Sequence, residues 1–191
     1  MMCRTLVILL VSIPVAVQAQ MPGMPDGSKE RAGLAPLSRL VGRWEGDATA
    51  MTGPNQTKQV RQFEEVVPGA ASTVLMVRGT GRLKDGDPGT IVYEAAATIW
   101  YDASAQKLRM RAHRMEGMTV EPDIELKGDT LVWAFNVMGG RIRYTTIFSE
   151  SEWHEVGHFL RDGAPPIQIM EMRLRRISED GRGGTGDGRE P

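Results

Sequence analysis

From Arg43 onward apolar and polar positions alternate with a period near two, and Gly, Pro, Asp or Asn interrupt the alternation at short intervals. That is the pattern of short antiparallel strands joined by tight turns. It predicts about ten strands: 43–51, 58–67, 72–83, 90–101, 107–115, 118–126, 130–137, 141–148, 153–160 and 167–177. Leu108, Met110 and Ala112 share one face of the fifth, with Lys107, Arg109, Arg111 and His113 on the other. Ile142, Tyr144, Thr146 and Phe148 likewise oppose Arg141 and Arg143, which places these arginines outward. No stretch offers the long amphipathic helix that a parallel sheet needs for its crossovers. An antiparallel meander of this size removes its unpaired edges by closing, so the predicted architecture is an all-β, closed antiparallel barrel.

The segments outside the strands differ in character. Residues 1–19 read as a secretory signal, with Arg4 in the basic region, an apolar run from Leu6 to Val17 and small residues at Val17-Gln18-Ala19. The run is too short to span a bilayer, which needs about 20 residues. The expected location is therefore periplasmic or secreted, without stable membrane insertion. Residues 20–33 are polar and rich in Met, Pro and Gly, and read as a flexible linker. Leu34, Leu37 and Leu40 mark a short helical turn, 34–178 the barrel domain, and the Gly-rich 179–191 a disordered tail. Cys3, the only cysteine, lies in the signal, so the mature chain has no disulfide or thiol chemistry. Asn55-Gln56-Thr57 is a sequon that matters only in a glycosylating pathway. The 23 basic and 24 acidic residues nearly cancel, which argues against a nucleic-acid partner.

Leu40-Val41-Gly42-Arg43-Trp44-Glu45-Gly46, placed after a helical turn and ahead of a meander, resembles the opening strand of the calycin superfamily. Its Gly-x-Trp-x-Gly is most similar to nitrobindin-like barrels and to uncharacterised exported lipocalin-like bacterial domains. Tyr93-Glu94 to Tyr101-Asp102, with Lys107 after it, is similar to the middle of those exported domains. The resemblance implies a lipocalin-like barrel. In it Gly42 and Trp44 close one end, and an arginine of the last strand, from Arg173, Arg175 and Arg176, packs on Trp44. Nitrobindin-like proteins hold haem through a His near the C-terminal strands. Residues 167–177 contain no His, only Met170 and Met172, and His158 lies one strand earlier, so no cofactor is assigned.

Trp153-His154-Glu155-Val156-Gly157-His158 contains H-E-x-x-H, which on a helix sets two zinc ligands on one face with Glu155 as general base. Here the stretch is placed as the partner of 141–148. In a strand His154 and His158 stand about 13 Å apart and Glu155 points to the other face. A zinc-dependent hydrolase is thus the alternative and no metal site is assigned. His113 falls on the solvated face, and Met21 and Met24 are too few for a copper site. Glu64 and Glu65 face opposite sides of their strand. No catalytic residue is assigned, and enzymatic activity is not expected. The leading expectation is binding of a small apolar ligand inside the barrel. Its lining would be Val92, Tyr93, Leu108, Met110, Trp133, Phe135, Tyr144 and Phe148. The remaining alternative is a structural or partner-binding envelope protein whose barrel is filled.

Overall fold

A computed structural model describes residues 26–177 apart from 55, 86 and 88. The predicted signal, the first part of the linker, Cys3, Met21, Met24, Asn55 of the sequon, the last barrel position 178 and the tail 179–191 lie outside the described residues. A helix, α1 (Ser28–Leu34), and a 3-10 turn (Ala35–Leu40) lead into eleven strands. The first five are β1 (Gly42–Gly53), β2 (Gln56–Gly69), β3 (Val74–Leu83), β4 (Ile91–Asp102) and β5 (Lys107–Arg114). They are followed by β6 (Thr119–Val120), β7 (Asp123–Lys127), β8 (Thr130–Val137), β9 (Gly140–Phe148), β10 (Glu152–Leu160) and β11 (Ile167–Arg176). The helix takes up residues 28–33, which the polar composition had suggested were linker. Its closing Leu34 is buried, and that contact supplies the reason.

All strands pair antiparallel in one sheet, ordered β6-β5-β4-β3-β2-β1-β11-β10-β9-β8-β7. Each strand therefore pairs with its neighbour in sequence, except where β1 meets β11 and where β6 and β7 part company. That exception corrects the predicted closed barrel. The stretch 118–126, expected as one strand, is split at Glu121-Pro122. β6 then pairs with β5, while β7 pairs with β8 at the opposite end of the sheet. Pro122 has no N–H to give to a ladder, so a continuous strand through it is disfavoured. The result is a curled half-barrel of eleven strands, open between β6 and β7, with β5 packed against β7.

The Gly-x-Trp-x-Gly stretch organises the covered end. Trp44 is fully buried and points inward from β1, and its indole N–H donates to the Leu40 carbonyl at 2.9 Å. The buried Leu34, Leu37 and Leu40 of the lead-in belong to the same core, and Trp153 of β10 meets Trp44 edge-on at 5.9 Å. The arginine on Trp44 is Arg176, whose guanidinium carbon lies 4.1 Å from the ring centroid. It also donates to the carbonyls of Val41, Arg39 and Glu150. Arg173 and Arg175, named with it from the sequence, do not take this place. Met172 and Leu174 point inward from β11, so residues of odd number point out, and Arg173 and Arg175 pair there with Glu171 and Glu152.

Both glycines of the motif are required by contact. Gly42 has φ +132°, and a side chain there would overlap the Arg176 guanidinium. At Gly46 a Cβ would overlap the Arg173 carbonyl, which is backbone and cannot swing away.

Candidate functional site

Away from the Trp44 end the half-barrel is hollow. A cavity of about 400 Å³ lies between β1, β2, β4 and β5 on one side and β8 to β11 on the other. Its walls carry Val92 and Tyr93 from β4, Trp133 and Phe135 from β8, Ile142 and Tyr144 from β9, and Met170 and Met172 from β11. Ala48, Ala50, Ala95 and Ala112 keep the space open, because their side chains reach barely beyond the sheet. The exposed Met51, Lys58, Glu116 and Met118 form its rim.

Five of the eight residues proposed from sequence as lining reach this cavity: Val92, Tyr93, Trp133, Phe135 and Tyr144. Leu108, Met110 and Phe148 do not; they point inward but pack in the solid core around Trp44 and the lead-in. Alternation sets the face of these residues except at Val92 and Tyr93, which both reach the cavity beside a register shift where β4 meets Gly81 and Arg82, while height along the barrel decides between core and cavity. Trp133 stacks on Tyr144 with centroids 4.0 Å apart and planes 17° from parallel, and Phe135 continues the stack at 6.0 Å. The cavity thus has a continuous aromatic wall.

The sequence reading missed the polar groups on the cavity floor. Val60, Gln62, Glu64 and Val66 share the inward face of β2, which carries Glu64 into the cavity and leaves Glu65 outside against Arg43 at 2.8 Å. Gln62 donates its amide to Glu64 at 2.8 Å. On β10, Glu155 is buried between the inward-facing Trp153 and Gly157 and accepts from the Thr146 hydroxyl of β9. Burial pushes the Glu64 carboxyl up to about 8; the Gln62 donor opposes this and the nearby charge of Glu155 adds to it. Burial also pushes Glu155 up, against the hydrogen bond from Thr146 and weaker help from the Trp133 and Trp153 indoles. The Trp153 N–H lies close enough to favour the charged carboxylate, yet it meets no partner at hydrogen-bond geometry. Tyr144 is raised to about 12 and Tyr93 is raised too, both chiefly by burial, so both remain neutral phenols.

Two cations belong to the cavity: Lys58 at the exposed rim and Arg114 in the wall. Arg114 ends the inward face of β5, one residue beyond the outward stripe of Arg109, Arg111 and His113. Its guanidinium sits 5.3 Å from the Tyr93 ring centroid and donates to Glu116 at 2.9 Å. The outward stripe itself is exposed as expected, with Arg111 on Glu121 and His113 on Thr119. Arg141 is outward as well, paired with Asp123 at 3.0 Å.

The zinc alternative fails on the conformation it requires. His154, Glu155 and His158 lie on strand β10, not on a helix. His154 faces away from Glu155 and bonds Glu171 at 3.0 Å. That contact and Arg173 hold Glu171 below the ordinary carboxylate range. A bulge between Gly157 and His158 re-aims His158, whose Nδ1 is buried without a partner. Among the described residues no group of three or more His, Cys, Asp and Glu is placed to hold a metal ion.

No protein-family model matches the chain, and no curated protein matches it. Solved structures do. Rv2717c from M. tuberculosis superposes with a TM-score of 0.58 at 12% identity, over 76% of this chain and 98% of its own. The S-type phycobiliprotein lyase CPES from Guillardia theta superposes with a TM-score of 0.54 at 9% identity, over 80% and 95%. At such identities the likeness shows the fold, a lipocalin-like β-barrel.

Proposed function

We propose that this chain is an exported lipocalin-like barrel that binds one small, largely apolar molecule in its interior. The observation that carries the reading is the cavity of about 400 Å³ with its Trp133, Phe135 and Tyr144 wall. Binding sites for small molecules fall in the range of about 300–1,000 Å³ and combine apolar walls with a few placed polar groups. A filled structural barrel would have large side chains where Ala48, Ala50, Ala95 and Ala112 stand. Export rests on the composition of residues 1–19. That a phycobiliprotein lyase shares the fold agrees with a small-ligand role.

The neutral fluorophore N-phenyl-1-naphthylamine tests the proposal. Its emission is expected to rise and saturate at one site per chain with a Kd on the order of 1–10 µM. Tryptophan emission should fall in step, because Trp133 forms part of the wall. Emission that stays linear in added probe would show that the interior admits no ligand.

A further inference from the structure

Besides Glu116 at the rim, which Arg114 holds, two carboxyl groups face the cavity, Glu64 and Glu155, and no cation contributes to the charge balance of either. Their neighbours are donors. Glu64 receives the Gln62 amide, and Glu155 receives the Thr146 hydroxyl, with the Trp133 and Trp153 indoles near enough to favour its charged form. An indole N–H can only donate. A protonated carboxyl needs an acceptor for its own proton, whereas an ionised one needs donors. The surroundings of Glu155 therefore suit the carboxylate, with Trp153 at 7% exposure keeping a donor in reserve. A buried carboxylate is costly until a positive charge is set beside it. Arg114 does not supply that charge, since it is held at Glu116 and over Tyr93.

We infer that the ligand is an organic cation, an ammonium group on an apolar body, held between Glu64 and Glu155 with its carbon skeleton along Trp133, Phe135 and Tyr144. The inference rests on the ligand-binding reading and names the chemistry of that ligand. Charge-assisted N–H···O bonds to the two carboxylates fix the ammonium. An anionic ligand would bring its charge against Glu64 and Glu155; the cations it could meet are Arg114, whose buried Nε has no partner, and Lys58 at the rim. Because burial holds protons on both carboxyls, ammonium binding expels them, and affinity rises with pH toward and past 8.

Displacement of N-phenyl-1-naphthylamine by decylamine, decanol and decanoate separates the possibilities. The three share a chain and differ in charge, and the amine stays protonated up to pH about 10. At pH 8.5 decylamine is expected to displace the probe at a concentration at least about tenfold below that of decanol, the size of a charged hydrogen bond. The advantage should shrink at pH 6, a comparison that needs no variant. Combining Glu64→Gln with Glu155→Gln should bring decylamine to the level of decanol, the two being compared as displacement against that variant's own measured affinity for the probe. Glu64→Gln alone, at a half-buried position, should lose part of the advantage. If the probe binds and decanol or decanoate displaces it as well as decylamine does, the cation inference is overturned and the cavity reading stands. Retention of the amine preference in the Gln variants overturns it too. If the probe does not bind at all, both fall together.

Discussion

Replacing Trp44 by Ala is expected to lower the unfolding free energy by about 3–5 kcal/mol, the range for emptying a fully buried aromatic site. A domain of this size has about 5–15 kcal/mol in total, so the variant should be folded only marginally. The position concentrates several contacts. The ring fills the space beneath Leu37 and Leu40, meets Trp153 edge-on, carries the Arg176 guanidinium on its face and gives its N–H to the Leu40 carbonyl. Alanine leaves a void, an unpaired buried carbonyl and an arginine without its platform. Trp44→Phe keeps a ring for Arg176 and the T-shaped contact but loses the N–H, and should cost about 1–2 kcal/mol. Arg176→Lys should fall between the two, since a single ammonium on a flexible stem cannot bridge the carbonyls of Val41, Arg39 and Glu150 in one plane. Urea unfolding followed by far-ultraviolet circular dichroism gives all three values. A loss below about 1 kcal/mol for Trp44→Ala would show that the lead-in and Leu174 close this end without it.

That cluster was legible because its motif is local. Gly42, Trp44 and Gly46 lie within one strand, and the positive φ at Gly42 and the crowded backbone at Gly46 are demands that glycine alone meets. The partner arginine was harder, since three candidates stand in 173–176, yet the information was present. Met172 and Leu174 set the inward parity, and Arg176 continues it. Glu64 and Glu155 carried the same kind of signal. Each interrupts an inward row, Val60 to Val66 in one case and Trp153 to Gly157 in the other, and a carboxylate on an apolar face marks a site more often than a structural accident. The pairing of Glu155 with His154 and His158 in a familiar zinc pattern drew the reading toward the wrong neighbours. Two features were not local. Whether an inward residue such as Leu108 or Phe148 meets core or cavity depends on its height in the barrel. The gap between β6 and β7 depends on what Pro122 withholds from two strands far away in the sheet.

The acid pair also makes stability depend on pH in a direction opposite to the usual one. Glu64 is raised from the ordinary value of 4.5 to about 8. Between those two values the folded chain holds a proton that the unfolded chain has released. Stability therefore falls as pH rises through this window, and the contribution is fully present only below 4.5. Glu155 shifts in the same direction. Glu171 and Asp47 are lowered by their outward partners and act oppositely, losing their contribution as pH falls, but both are surface groups whose share is small. Wild-type protein without ligand is expected to be less stable at pH 8.5 than at pH 5, with a loss from Glu64 on the order of 3 kcal/mol. Glu64→Gln removes one of the two raised groups without changing its shape, so its stability should fall less than wild type over the same range, by the share left to Glu155, and exceed wild type at pH 8.5. Denaturant midpoints at pH 5, 6.5 and 8.5 test this, and a wild-type protein equally stable at both ends would mean that the Glu64 carboxylate is solvated within the cavity. Each of these carboxyls is destabilising when ionised, so the fold regains stability either by protonating them as the pH falls or, above about pH 8, by a positive charge set beside them.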